Sequence, residues 1–392
     1  MIKGFIVSLI VAAAFFAAGG ISVSVLGTRS MGAREFADIE VLEEAPGLVE
    51  IIEEDKVVGE EFWEFELSKT VAVVSSSVDT RVVKASGDMI TLSVRTKGKG
   101  IASVTVAENR DGDGYIGISV RGNTGFFYDL HTKDVEVTIG LPDAIYDDVE
   151  LMLGSGELRA ADIKANSALV EVGSGNLVYE QPGDFTAEAF FGEVSSGSLK
   201  ADNICASMTQ LDLYSGKLEY TQARDFHADM LMVSISSGKL SAVNADTTNY
   251  RIEMGSGNFE VSGLTGSGEI DISSGNGSAE FAEINENGNI IDISSGKLDV
   301  YVPKNCKTQI AAEIATGSVS IDCCGVTDKL KDDETVWLGG GGKFSVDVSS
   351  GKVSFLDSKS YVIQEVTLID NGVPDEIPAE FAVVEGTHFI TS

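Results

Sequence analysis

Ten pairs of a hydroxyl residue followed by glycine are the most frequent candidates for chemistry in this sequence. A serine beside a histidine base could be the nucleophile of a hydrolase, and Ser-Gly-Lys could belong to a phosphate-binding loop. The pairs are Ser155-Gly156, Ser174-Gly175, Ser196-Gly197, Ser215-Gly216, Ser237-Gly238, Ser256-Gly257, Ser274-Gly275, Ser295-Gly296, Thr316-Gly317 and Ser350-Gly351. The only histidines are His131, His227 and His388. Three bases cannot serve ten equivalent hydroxyls, so catalysis at the pairs is not predicted.

A phosphate-binding loop is also excluded. Such a loop follows the pattern G-x-x-x-x-G-K-[ST] and opens a helix, whose backbone amides hold the phosphate. Lys297 follows Ser295-Gly296, but it opens an alternating apolar run that contains Leu298 and Val300. Alternation predicts a strand rather than a helix. The ten hydroxyl residues are therefore predicted to be structural.

One segment resembles half of a calcium-binding loop. Asn109, Asp111 and Asp113 offer oxygen ligands at alternate positions, and Gly114 stands at the sixth position. The twelfth position holds Val120, where a calcium loop has a bidentate glutamate. A polar hairpin turn between two short strands explains the same residues. Calcium is the one cofactor left open, and no other cofactor is predicted.

The spacing of the pairs indicates which elements position them. Successive glycines of the pairs are 19, 22, 19, 22, 19, 18, 21, 21 and 34 residues apart. A repeat near twenty residues is typical of a solenoid, in which each copy stacks on its neighbours. The last and longest step contains an additional charged loop, residues 329–334. We therefore predict an all-β solenoid.

The apolar residues change register at each glycine. Ile291 and Ile293 precede Ser295 by four and two positions. After Gly296 the apolar residues, beginning with Leu298, have the opposite parity. Because alternate residues of a strand share one face, this slip would expose the core unless the chain turns at the glycine. Each glycine is predicted to form a corner, and each preceding hydroxyl is predicted to point inward and to bond to other hydroxyls or to corner backbone groups.

Acidic residues suggest one enzyme alternative, a carbohydrate-active β-helix protein. Asp271, Asp292 and Asp347 are each followed by an inward residue and are predicted to project outward, where paired acids could act on a polysaccharide. Like charges at strand spacing repel, which suggests solvation, a bound cation or neutralisation by lysines. Those lysines are Lys217, Lys239, Lys297 and Lys352. Because no distinctive cluster of Arg or Lys is present to stabilise an anionic transition state, no enzyme is predicted.

The amino-terminal segment predicts a membrane location. Residues 4–27 are 24 residues without a charge, long enough to cross the roughly 30 Å hydrocarbon core as a helix. Ala18-Gly19-Gly20 offers a cleavage site, but the apolar run continues to Leu26. A single-pass signal anchor with an extracytoplasmic body is predicted, and a cleaved signal with secretion stays the alternative.

Charge and cysteine content limit the partners and the redox chemistry. Acidic residues outnumber basic ones 61 to 28, so nucleic acid would be repelled and is excluded as a partner. The four cysteines are too few for a disulfide framework. Cys323 and Cys324 are predicted to be small buried residues rather than a redox or metal site. A bridge from Cys306 to one of them stays open for a protein outside the cytoplasm.

Five regions are predicted along the chain. They are the signal anchor 1–27, an acidic stem 28–61, a β-rich region 62–142, the solenoid 143–357, and a cap or tail 358–392.

Residues 62–357 resemble the putative-adhesin β-strand-repeat family of bacteria. The resemblance rests on the runs 135–142 and 149–158 and on the Ser-Gly corners as far as Val353. It implies a right-handed β-helix-like fold, an extracytoplasmic body and no catalytic residues. We therefore expect a membrane-anchored solenoid of the bacterial cell envelope that binds a protein or a glycan on its faces or by strand addition at an uncovered end. A sensor or scaffold in envelope stress is the alternative.

Overall fold

The computed structural model describes residues 48–97, 101–109, 114–122 and 135–358, and these contain thirty β-strands. In chain order they are β1 (Leu48–Val57), β2 (Glu60–Phe65), β3 (Thr70–Ser76), β4 (Val78–Lys84), β5 (Ile90–Thr96), β6 (Ala102–Asn109), β7 (Tyr115–Gly122), β8 (Val135–Leu141), β9 (Ile145–Leu153), β10 (Gly156–Ala161), β11 (Lys164–Val172), β12 (Asn176–Glu180), β13 (Ala187–Val194), β14 (Ser198–Ile204), β15 (Ala206–Leu213), β16 (Lys217–Gln222), β17 (Ala228–Ile235), β18 (Lys239–Val243), β19 (Thr247–Met254), β20 (Asn258–Leu264), β21 (Ser267–Ile272), β22 (Asn276–Phe281), β23 (Asn289–Ile293), β24 (Lys297–Val302), β25 (Thr308–Ile314), β26 (Ser318–Cys323), β27 (Val326–Leu330), β28 (Glu334–Trp337), β29 (Gly342–Val348) and β30 (Lys352–Asp357). The all-β prediction is confirmed.

The strands form two sheets of fifteen strands each. Sheet A has the order β1-β6-β7-β3-β9-β11-β13-β15-β17-β19-β21-β23-β29-β25-β28, and sheet B has the order β2-β5-β8-β4-β10-β12-β14-β16-β18-β20-β22-β24-β30-β26-β27. From β9 to β24 the chain alternates between the sheets, so each repeat adds one strand to each sheet. Fourteen strand spacings of ~4.8 Å give sheets about 67 Å long.

The core lies between the two sheets. In β24 the side chains of Leu298, Val300 and Val302 are fully buried, whereas the alternate residues of the strand are exposed or half-buried. This alternation is what the sequence register predicts for a strand with one face on a core. Aromatic rings join successive layers, as in Phe281 and Phe344, whose ring centroids are 5.2 Å apart.

Two kinds of corner connect the sheets. The turn from a sheet A strand to a sheet B strand carries the hydroxyl-glycine pair and is called the glycine corner. The turn back to sheet A, called the far corner, is short at 162–163, 205, 244–246 and 265–266 and longer at 181–186, 223–227, 282–288 and 303–307. Repeats with a short far corner span 18 or 19 residues and those with a long one span 21 or 22. Far-corner length therefore explains the uneven period.

Near the carboxyl-terminal end, strand order differs from chain order. After β26 the chain forms β27 and β28, which pair antiparallel with β26 and β25. It then returns, and β29 inserts between β23 and β25 while β30 inserts between β24 and β26. The 34-residue step from Gly317 to Gly351 is thus a hairpin at the end of the sheets followed by an inserted layer, rather than a repeat with a charged loop.

The first layers show the same kind of insertion. Strands β3 and β4 lie between β7 and β9 and between β8 and β10. The predicted β-rich region 62–142 therefore continues the two sheets of the solenoid. The predicted stem 28–61 also differs from the structure, because β1 pairs antiparallel with β6 and β2 starts at Glu60.

Two predicted terminal features lie outside the described residues, namely the anchor 4–27 and the tail after Ser358. Among the residues described, no helix has the length and apolar character needed to span a membrane.

Candidate functional site

The glycine corners stack so closely that a side chain has no room. A Cβ atom added to Gly216 would lie 2.2 Å from the carbonyl oxygen of Gly197 and 2.7 Å from Cγ1 of Val194. Of the ten corner glycines only Gly156, Gly257 and Gly275 have φ in the positive region, at 97°, 105° and 151°. Close approach between neighbouring corners, rather than positive φ, is therefore the main reason for glycine at these positions.

The corner hydroxyls point outward, so the inward orientation predicted for them is wrong. Ser155 and Ser256 are half-buried and the others are exposed. The exposed residues are Ser174, Ser196, Ser215, Ser237, Ser274, Ser295, Thr316 and Ser350. The inward parity was extrapolated from the sheet A strand, but that strand ends two residues before each hydroxyl, and alternation no longer applies beyond it.

These hydroxyls form hydrogen bonds between neighbouring corners. Nine of them donate to a backbone carbonyl of the adjacent corner, at 2.9 to 3.1 Å. Ser155 instead bonds to the hydroxyl of Ser77, at 3.0 Å. Because the acceptors are backbone carbonyls, the hydroxyls serve the fold.

Replacing Ser215 with alanine is expected to lower the free energy of unfolding by about 1 kcal/mol. Its Oγ donates to the carbonyl of Ser195 at 2.9 Å, and a single neutral hydrogen bond contributes ~0.5–1.5 kcal/mol. Urea unfolding followed by circular dichroism measures the change. Ser215→Thr, which keeps the hydroxyl, serves as the control, and equal losses in both variants would contradict the assigned role.

The candidate calcium-binding segment lies mostly between two described ranges, which end at residue 109 and resume at residue 114. Asp111 and Asp113 lie outside the described residues, and so does the side chain of Asn109. The flanking strands β6 and β7 pair antiparallel, with Asn109 opposite Tyr115, so the segment links a hairpin. Within the described ranges, no three His, Cys, Asp or Glu side chains are grouped to hold a metal ion.

A row of carboxylates crosses the outer face of sheet A in exact strand register. It occupies nine neighbouring strands, with a serine, Ser234, as the single non-acidic member. The acidic row consists of Glu171, Glu193, Asp212, Glu253, Asp271, Asp292, Asp347 and Glu313. Eight strand spacings make this row about 38 Å long. The predicted outward aspartates 271, 292 and 347 are three of its members.

Burial, in most cases together with repulsion from neighbouring carboxylates, raises the pKa values of four members of the row. Burial, followed by the charges of Glu193 and Glu150, raises the pKa of Glu171 to about 8. Burial and Asp212 raise the pKa of Glu193 to about 7. Further along, burial and the neighbouring aspartates of the row raise the pKa of Asp292. One carboxylate oxygen of Glu171 and one of Glu193 are buried without a hydrogen-bond partner. No ion pair with a described residue compensates either of these two buried carboxyl groups.

The lysines that were candidates to neutralise the row lie on the other sheet. Lys217 and Lys297 open strands of sheet B and form ion pairs with Glu219 and Asp299 two residues further on. In the acidic row, Glu253 pairs with Arg251 at 2.5 Å, and no other member has an ion pair with a described residue. Lys239 and Lys352 also open strands of sheet B, and no ion pair joins either of them to a described residue. Six ion pairs thus lie on the described part of sheet B, whereas the acidic row of sheet A has one.

Apolar side chains flank one end of the acidic row. Leu169 and Phe191 are neighbours in register on the outer face, and Met208 and Met230 are neighbours two strands further along. Together with Met232 they form the methionine patch, whose five side chains are all half-buried. Methionine is flexible and polarisable, and it packs against partners of different shapes.

The one histidine in the described ranges, His227, bonds to no corner serine. His131 and His388 lie outside the described residues. His227 contacts Asp246 and Thr248 on the next strand layer, a cluster that the sequence analysis missed. These residues are 19 and 21 positions apart, which is one repeat, so the period itself could have indicated that they stack.

The cysteines form one disulfide. Cys306 and Cys324 are bonded, with Cα atoms 6.2 Å apart, whereas Cys205 and Cys323 are free and buried. The bridge that the sequence left open therefore uses Cys324. The prediction of a small buried residue is right for Cys323 and wrong for Cys324, which is half-buried and bonded to Cys306.

The Toastrack DUF4097 family matches residues 69–355. The chain belongs to this family. The match covers most of the chain and extends from the start of β3 into β30, so it includes the glycine corners and the whole acidic row. The resemblance found in the corner repeats is confirmed. Strands β1 and β2 precede the part that matches the Toastrack family.

Solved structures similar to this Toastrack chain come from several bacteria. A putative cell adhesion protein from Clostridium sporogenes has 12% identity and a TM-score of 0.21 over 76% of this chain and 98% of its own. A putative lipid binding protein from Parabacteroides distasonis has 15% identity and a TM-score of 0.31 over 76% and 97%. A putative adhesin from Bacteroides fragilis has 8% identity and a TM-score of 0.23 over 78% and 97%. No curated protein sequence matches the chain.

Proposed function

We propose that this Toastrack protein is a membrane-anchored, extracytoplasmic binding protein of the bacterial cell envelope. Its outer face of sheet A binds a partner that presents positive charges in a line. The acidic row carries this proposal, because six of its eight carboxyl groups are exposed or half-buried on the outer face, and of these only Glu253 has a paired cation among the described residues. Repulsion within such a row costs stability. A cationic partner would recover that cost on binding.

The acidic row and the methionine patch have complementary roles in this proposal. Long-range attraction by the row accelerates encounter and selects partners by charge. The patch supplies apolar contact that adapts to the shape of the partner. The partner that fits both is a cationic protein segment with an apolar side, and the binding needs no catalytic residue.

Location rests on the amino-terminal segment and on the disulfide. Residues 4–27 have the length and apolar character of a membrane span. The bond between Cys306 and Cys324 favours an oxidising compartment, since disulfides persist outside the cytoplasm. The proposal therefore places residues 28–392 on the outer side of the membrane.

Capture from the cell envelope tests the proposal with the full chain. Affinity-tagged protein is solubilised from membranes, crosslinked to its neighbours, and compared with Asp271→Asn/Asp292→Asn/Asp347→Asn. The matched control, Glu157→Gln/Glu219→Gln/Asp299→Asn, removes the same charge from sheet B. A specific envelope protein that is lost only in the sheet A variant supports the proposal. Equal capture by all three proteins would overturn it.

A further inference from the structure

A hydrogen-bonded chain of three side chains lies at the far-corner edge, at the opposite end of β19 from Glu253. Nδ1 of His227 is 2.7 Å from Oδ1 of Asp246. Nε2 of His227 is 2.9 Å from Oγ1 of Thr248. The hydroxyl of Thr265 also donates to Oδ1 of Asp246, at 2.6 Å. The site is separate from the acidic row and does not depend on the proposed binding function.

The chemistry of the three groups fixes the positions of the protons. An ionised carboxylate only accepts hydrogen bonds, so Nδ1 of His227 carries the hydrogen and donates to Asp246. In neutral histidine the other ring nitrogen is then an acceptor. Thr248 therefore donates its hydroxyl hydrogen to Nε2. This order of hydroxyl, imidazole and carboxylate is the arrangement that activates a hydroxyl for acyl transfer.

The side chain of Gln222 links the two backbone segments that carry His227 and Asp246. Nε2 of Gln222 donates to the carbonyl oxygens of Phe226 and Asp246, at 2.6 and 2.7 Å. Phe226 directly precedes His227, and Asp246 is the carboxylate that accepts the hydrogen bond from His227. These two bonds hold the backbone beside His227 close to the backbone of Asp246, which favours a pre-organised pair.

A substrate can reach the hydroxyl. Thr248 is exposed, and the side chain of His227 keeps 56% of its surface exposed. Asn249, the next residue, lines a groove of about 690 Å³ whose walls include the charged residues Arg251, Glu269 and Lys343; neither His227 nor Thr248 lines this groove.

The geometry points to Thr248 as a nucleophile for an ester that reaches its exposed hydroxyl from solvent. Oγ1 of Thr248 attacks the carbonyl carbon, and its proton passes to Nε2 of His227. The carbon–oxygen bond to the leaving alcohol then breaks, and the alcohol takes the proton from Nε2. Water attacks the resulting acyl-threonine with the same base, which releases the acid and restores the hydroxyl. Asp246 is a positioning residue that holds the imidazole in the required tautomer.

The test uses the full chain and a fluorophosphonate probe, with mass spectrometry to locate the modified residue. Labelling at Thr248 is expected, retained in Thr248→Ser and lost in Thr248→Ala. His227→Gln is expected to slow labelling about 100-fold, the size of a general-base contribution. In Asp246→Asn, the ¹⁵N NMR signals of His227 are expected to show that the tautomer with hydrogen on Nδ1 is no longer favoured. Labelling of Thr248 by the probe is expected to slow in the same variant. Hydrolysis of p-nitrophenyl butyrate gives a second readout.

Two results would overturn the assignment. One is labelling of Thr248 no faster than of the exposed corner residue Ser215 in folded wild-type protein. The other is a His227→Gln variant that loses thermal stability but labels at the wild-type rate, which would make the cluster a structural clasp between neighbouring layers.

Discussion

Replacing Gly216 with alanine is expected to lower the free energy of unfolding by more than about 3 kcal/mol. The added Cβ would lie 2.2 Å from the carbonyl oxygen of Gly197, and neither backbone can move without disturbing the layers on both sides. Forcing atoms into a closely packed site typically costs ~1–3 kcal/mol, and more when backbone must shift. Urea unfolding measured by circular dichroism determines the change.

The control for this prediction is Gly87→Ala. An added Cβ at Gly87 meets no atom within 4 Å, so the variant is expected to differ from wild type by less than about 0.5 kcal/mol. If Gly216→Ala and Gly87→Ala unfold at the same urea concentration, close stacking does not explain the glycine at the corners.

Replacing Glu171 with glutamine is expected to raise the free energy of unfolding above that of wild type, by an amount that grows as the pH rises. Burial and the charges of Glu193 and Glu150 raise the pKa of Glu171 to about 8 in the folded chain. The folded state therefore binds this proton more tightly than the unfolded state. The contribution of protonated Glu171 to the stability of the folded state is complete below the ordinary pKa of a glutamate. It is lost as the pH rises toward 8.

The variant removes this titration, so the gain over wild type should be largest near pH 8.5. The expected gain there, relative to pH 5, is on the order of 3 kcal/mol, because each unit of pKa shift is worth ~1.4 kcal/mol. Thermal unfolding of both proteins across this pH range measures it. Glu188→Gln, an exposed position on the neighbouring strand β13, is the control for net charge. A stability difference that does not change with pH would contradict the assigned environment of Glu171.

The sequence predicted the repeated elements because their signals are local. Glycine at a fixed spacing and a change of apolar parity identify the corners without knowledge of the fold. The same reasoning failed for the hydroxyls, since the parity of Ile293 was carried past the end of its strand. A backbone carbonyl of the neighbouring corner, not another hydroxyl, is the usual partner, and sequence alone did not decide between the two.

The sequence contains a signal for every member of the acidic row, although only three of them were predicted. Each of its members lies four residues before a corner glycine, as Glu171 does before Gly175, but only three aspartates were singled out. Strand insertion was not predictable in this way. The place of β29 between β23 and β25 depends on which sheet edge the returning chain meets, and no local pattern near Val348 specifies it.

Binding of a defined cationic peptide is the most direct test of the proposed function. Fluorescent decalysine is titrated into the full chain in detergent at 50 and 500 mM salt, for wild type, the triple sheet A variant and the triple sheet B control. We expect binding to wild type that weakens at least about tenfold at high salt, as screening predicts. The sheet A variant is expected to bind about tenfold more weakly than wild type, and the sheet B control to bind like wild type. Equal weakening in both variants, or binding insensitive to salt, would contradict a specific cation-binding face on sheet A.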